Sequence, residues 1–245
     1  MSSWLDADAP ERFAAFSPSH LGALAAFALL VALLFAGRRW MRTERRSRIV
    51  RYTLAAVLTI CELTLNVWYV AEGVYDPKDT LPFELCSISL YLCVFMLLFR
   101  SARLFRIVYF IGIGGAAQAL LTPVLGYDFP HFRFIEFFAA HAAIILSILY
   151  MVWVERLQPA WRNVWITFGL LNSALVLIFL INGATGGNYM FVSRKPETAS
   201  LLDFLGPYPW YLLSMEAVAL AMFSLLYAPF ALRSRLAAKK RSGAG

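Results

Sequence analysis

Seven apolar stretches, each about the 17 to 25 residues that a helix needs to cross hydrocarbon, constrain this chain more than any other feature. They run over residues 21–37, 49–73, 81–99, 104–121, 131–154, 162–182 and 209–232, and one sizeable loop covers 183–208. A soluble domain of 245 residues cannot hide this much apolar surface, because 60% of the residues are hydrophobic and only 15% are charged. The expected fold is an all-α membrane protein, one polytopic domain over 1–245 with seven transmembrane helices. No linker divides it and no internal repeat stands out.

Orientation follows from the cations, since Lys and Arg in short loops stay on the cytoplasmic side. Arg38 to Arg51, Arg100 to Arg106, Arg156 with Arg162, and Arg233 to Arg241 hold 17 of the 22 Lys and Arg. The other face keeps Arg12, Lys78, Arg133, Arg194 and Lys195 among acidic residues that include Asp76, Asp128, Glu197 and Asp203. The N-terminus is expected outside and the C-terminus in the cytoplasm, as an odd helix number requires. The net charge of +7 then reflects topology and anionic headgroups rather than nucleic acid. The first span follows an acidic, proline-containing N-terminus and reads as a signal anchor, which makes this a multi-pass protein of the plasma (cytoplasmic) membrane.

Polar residues within the spans crowd toward the outer half. Glu62, Asn66, Tyr69 and Gly73 recur at intervals of three or four and share a helix face. Arg133, Phe137 and His141 line up at i, i+4 and i+8, with Glu136 beside them. Gly112, Gly114 and Gly115 allow close helix approach near Gln118. Each ionisable group in lipid costs about 2.5 to 3.5 kcal/mol, so Glu62, Glu136, His141 and Glu216 together predict a polar cavity open to the outside. Any one of them alone serves equally as an interhelical hydrogen-bonding group that specifies packing.

Cys61, Cys86 and Cys93 are too few for a disulfide framework and too scattered for a zinc cluster, so no metal or other cofactor is expected. Cys61 and Cys93 sit in apolar runs and read as inert core thiols. Cys86 has Glu84 and Ser87 beside it, about two turns below the outer surface of a span that begins at Leu81. A thiol becomes a nucleophile when a base takes its proton, and His141 descends from the same side. Cys86 and His141 thus form a candidate dyad, with Glu136, Glu62 or Glu216 to orient the imidazole. His131, at the outer end of its helix, is a rival with interface anchoring or capping as its plainer role.

Four runs carry a resemblance. They are Leu81-Pro82-Phe83-Glu84-Leu85-Cys86-Ser87, Tyr109-Phe110 with Gly112 to Pro123, Phe129-Pro130-His131-Phe132-Arg133-Phe134 continuing to His141, and Gly187-Asn188-Tyr189-Met190-Phe191 through Lys195-Pro196 and Ser200 to Tyr211. In this order they resemble the YwaF-type integral membrane family, from about the third span to the end. That family is similar to a human multispanning acyltransferase of ether phospholipids that uses a cysteine and a histidine. The resemblance implies Cys86 and His141 at those positions, and transfer of a fatty acyl chain from a donor phospholipid to a lysophospholipid through a thioester on Cys86.

Within that scheme Gln118, Asn188 or a helix-end amide would meet the oxyanion, and Arg133, Arg194 or Lys195 would hold a lipid phosphate. Trp68, Tyr69, Tyr127, Tyr189, Tyr208, Trp210 and Tyr211 form an expected aromatic belt. Loop 183–208 reads as a lid hinged at Gly183, Gly186 and Gly187, or as a structured cap. The alternative function is an ion-coupled small-molecule transporter in which Glu62, Glu136, His141 and Glu216 relay protons. A retinal-binding sensor is excluded in its usual form, because no Lys lies within the seventh span.

Overall fold

The computed structural model describes residues 4–9, 12–195 and 201–242. Its described residues form seven α-helices and no strand. They are α1 (Pro18–Gly37), α2 (Glu44–Ala71), α3 (Leu85–Phe99), α4 (Ala102–Leu121), α5 (Phe132–Trp153), α6 (Trp161–Thr185) and α7 (Trp210–Ser242). All but α3 are long and apolar enough to cross a membrane.

The exception has a local cause. Pro82 disfavours a helical backbone at Leu81, and Glu84 is extended (φ −69, ψ 149), so α3 starts four residues later than the apolar run. Its 15 residues rise only about 22 Å. Cys86 consequently lies in the first turn of α3 with no helical turn before it, which corrects the expected depth of two turns.

Side-chain bonds sort the helix ends into two groups. At one end His20 of α1, fully buried, accepts from the Phe16 amide and bonds the Leu120 carbonyl of α4 at 2.8 Å. The Trp68 indole of α2 donates to Leu5 O, and the Phe132 amide of α5 donates to Trp4 O. The N-terminal segment therefore packs over this end. At the other end Arg42 donates to Trp153 O, and Ser47 and Arg100 both donate to Glu155 at 2.8 Å. The arginine-rich connections gather there.

Helix α4 is the hub, and its glycines explain how neighbours reach it. A Cβ on Gly112 would come within 2.7 Å of Ile148 on α5, and one on Gly114 would meet Met222 of α7. One on Gly115 would lie 3.5 Å from the Cys86 sulfur on α3. Each missing side chain admits a different helix. In contrast α1, α6 and α7 expose Leu29, Leu33, Val176, Leu180, Leu213 and Leu225, an apolar surface that suits lipid.

Beside the arginine-rich end, Arg51 is buried and donates to Leu97 O at 2.6 Å, with its Nε lying 3.9 Å from Glu155. Tyr150 and Ser47 both donate to the same carboxylate oxygen. Burial alone would raise the Glu155 carboxyl, but hydrogen bonds from Arg100, Ser47 and Tyr150 outweigh it and hold the group below its ordinary value. Arg100 is correspondingly raised, chiefly by its hydrogen bond to Glu155.

Candidate functional site

A cavity of about 400 Å³ opens among α2, α3, α4 and α5 at the end that carries the N-terminus. Cys86, His141, Glu62, Glu136, Arg133 and Gln118 all line it. Cys86 reaches it because α3 begins there. The Glu84 carboxylate accepts from the Met190 amide at 3.3 Å instead of capping its own helix. The amides of Leu85, Cys86 and Ser87 therefore point into this end without a partner among the described residues. Gly115 lines the cavity beside the partly buried Cys86, and its missing side chain leaves room next to the sulfur.

His141 enters from α5. Its Nδ1 lies 2.7 Å from the Phe137 carbonyl, which only accepts, so Nδ1 carries the proton and Nε2 keeps its lone pair. The Phe137 ring packs against the imidazole at 4.2 Å. This is the orientation a general base needs, but a backbone carbonyl supplies it. None of the three expected carboxylates does: Glu136 pairs with Arg133, Glu62 accepts from Tyr91 (2.7 Å) and Asn66 (3.2 Å), and Glu216 accepts from Asn172 (2.8 Å).

The expected polar set divides accordingly. Glu62, Glu136 and His141 share the cavity, whereas Glu216 lines a space between α6 and α7 and an adjoining one that meets the cavity at Gly115 and Gln118. No one of these spaces is lined by all four groups. Asn66 lies behind Glu62 and does not line the cavity. The Gln118 carboxamide lines it and makes no hydrogen bond among the described residues.

Of the cations proposed for a phosphate, Arg133 reaches the cavity, held by Glu136 and set over the Trp68 and Tyr69 rings. Arg194 is exposed on the loop, and Lys195 lies 3.9 Å from Asp203. Asn188 is also removed from the oxyanion candidates, because its side chain closes a turn with Arg194 and Ser193. His131 caps α5, accepting from the Arg133 amide and stacking on Tyr127 at 4.2 Å.

The aromatic belt needs correction. Trp68, Tyr189 and Tyr211 are buried and donate to Leu5 O, Pro77 O and Phe191 O, so they tie loops to helices. Tyr208 and Trp210 are exposed. The first part of the long loop is likewise a fixed cap. Asn182 exchanges two hydrogen bonds with Tyr189, Gly183 lies inside α6, and a Cβ on Gly187 would strike the Lys78 carbonyl at 2.5 Å. Gly186 ends α6 with φ 74, which a residue with a side chain adopts only under strain. Residues 196–200 of the loop lie outside the described residues.

Beyond the α3 and α4 wall lies a second, mostly apolar space of about 520 Å³, lined by Leu171, Leu175, Met215 and Met222 with Glu216 among them. Glu84, Gly115, Gln118 and Phe191 line both spaces. Met190 and Phe191 both take positive φ (53 and 52), so this wall is built on strained backbone. Sequence reasoning missed the apolar space and Phe191, since neither a chain of leucines nor one phenylalanine signals a groove until helices are placed.

The TMEM164 family pattern matches residues 15–227. It takes in the first two spans, which the motif resemblance does not reach. No curated protein and no solved structure matches the chain.

Proposed function

The chain belongs to the TMEM164 family of multi-pass membrane proteins, and on that premise we propose that it is a phospholipid acyltransferase of the plasma membrane working through Cys86 and His141. The observation that carries the reading is one cavity lined by an accessible thiol and by an imidazole whose Nε2 is free to take a proton. The N-terminus and cavity would face outward, with the arginine-rich end in the cytoplasm.

In the first half-reaction His141 Nε2 takes the Cys86 proton and the thiolate attacks the ester carbonyl of a donor phospholipid. The C–O bond breaks, the leaving alkoxide receives that proton, and a lysophospholipid departs. A second lysophospholipid hydroxyl then gives its proton to His141 and attacks the thioester. The C–S bond breaks and the thiol is restored. Gln118 and the unpartnered amides at the start of α3 offer donors to the tetrahedral oxyanion. Arg133 suits the headgroup phosphate, and the adjoining apolar space suits the acyl chain.

The test is capture of the intermediate. Incubated with phospholipid, the purified protein should gain a fatty acyl mass on the peptide that contains Cys86, and hydroxylamine should release it. Stoichiometric turnover with no such adduct at any time would remove the mechanism.

Space beside the sulfur gives a second check. Gly115→Ala places its Cβ at ordinary contact distance and should keep activity within a few-fold. Gly115→Leu extends over the sulfur and should lower acyl transfer roughly 100-fold, the order expected when a reacting group is displaced by about 1 Å. Comparable rates in the two variants, measured on lysophospholipid acceptors, would argue against attack at this wall.

A further inference from the structure

At the arginine-rich end a separate cleft of about 590 Å³ lies between α1, α5 and α7. Arg38, Arg42, Arg156 and Arg233 line it, and no carboxylate does. None of these four forms an ion pair among the described residues. The nearest acids are committed elsewhere, Glu155 to Arg100 and Ser47, and Glu44 to Arg48 and Arg100. Arg42 is held below its ordinary value by loss of hydration and by repulsion from Arg156, Arg38 and Arg39. Like charges converge here, and no acid among the described residues pairs with them.

Two further features narrow the missing anion. Arg38 and Arg42 are aimed by backbone carbonyls, donating to Phe35 O and Trp153 O, and Arg38 also stacks on the Phe35 ring at 3.6 Å. Apart from the arginines and Gln158 the lining is apolar, with Phe35, Val152, Trp153 and Phe230. A charged rim over an apolar wall, at the end of a membrane-crossing bundle, matches an amphiphile whose phosphate meets the arginines while its chains stay in lipid. We infer that this cleft binds the headgroup phosphate of one anionic phospholipid. It is remote from the Cys86 cavity and does not depend on acyl transfer.

The experiment uses the full chain in detergent, with thermal unfolding followed during titration by phosphatidylglycerol, phosphatidylcholine or glycerol 3-phosphate. Phosphatidylglycerol should stabilise the protein saturably, and the other two should not at equal concentration. Arg156 and Arg233 make no hydrogen bond among the described residues, so the Arg156→Gln/Arg233→Gln double variant removes charge without breaking a contact. Its half-saturation should rise roughly 30-fold, taking about the contribution of one juxtamembrane cation for each charge removed.

The pair Arg45→Gln/Arg103→Gln, exposed at the same end but outside the cleft, should leave half-saturation within about a factor of three on the same scale. Native mass spectrometry supplies a second readout, with one fewer retained phosphatidylglycerol in the cleft variant than in the wild type. Equal weakening by the control pair would replace the cleft with diffuse attraction. Undiminished binding in the cleft variant would overturn the assignment, and equal stabilisation by glycerol 3-phosphate would make the ligand a soluble phosphate instead.

Discussion

Cys86→Ala is expected to eliminate the acyl adduct and reduce acyl transfer to background, while His141→Ala slows adduct formation by about 10²- to 10⁴-fold. Neither change should unfold the protein. Cys86 is only partly buried at the cavity wall, and among the described residues the one hydrogen bond of the His141 ring is to its own helix. Single-turnover acylation, followed by mass spectrometry on folded variants, separates these outcomes. Wild-type acylation rates in His141→Ala would mean that another group takes the thiol proton, and the arrangement around Phe137 would then be structural.

Glu155→Ala is expected to cost the most stability, about 3 kcal/mol, because it leaves Arg51 buried without its counter-charge and strips Arg100, Ser47 and Tyr150 of a shared acceptor. Glu155→Gln should cost less, since an amide oxygen still accepts from Ser47 and Tyr150. The pH dependence has a definite sign. The Glu155 carboxyl is lowered in the folded protein, so its contribution is full above the ordinary carboxylate value near 4.3 and is lost as pH falls through the lower folded value. Thermal unfolding from pH 7 to pH 3 should show a steeper loss in wild type than in Glu155→Gln. Parallel profiles would assign the acid sensitivity to other groups.

Helix positions were legible because apolar runs and cation clusters are linear features, and each of the seven runs overlaps a helix. The start of α3 was less so. Hydropathy counts Leu81 to Phe83 as lipid-soluble, while Pro82 and the extended Glu84 decide that they stay outside the helix. Glu62, Glu136, His141 and Cys86 were identifiable from residue type, yet their partners were not. The group that sets the His141 tautomer is a main-chain carbonyl, and every residue in the chain has one. Likewise Tyr91 and Asn172 become partners of Glu62 and Glu216 only through side-chain contacts that spacing does not encode. Glycine was partly informative. The run Gly112 to Gly115 predicted close packing, but not that its third member would face a thiol.

The shortness of α3 has a consequence for how a lipid would travel. A helix that rises about 22 Å beside neighbours of 20 or more residues brings its first turn, and Cys86 with it, to the wall of the cavity at the end that carries the N-terminus. An ester group resides naturally just beneath the headgroups, so under the proposed chemistry a lipid leaning into that cavity would offer its carbonyl with little vertical excursion. The protein would meet its reactant where the bilayer already holds it, instead of hauling a phosphate through oil.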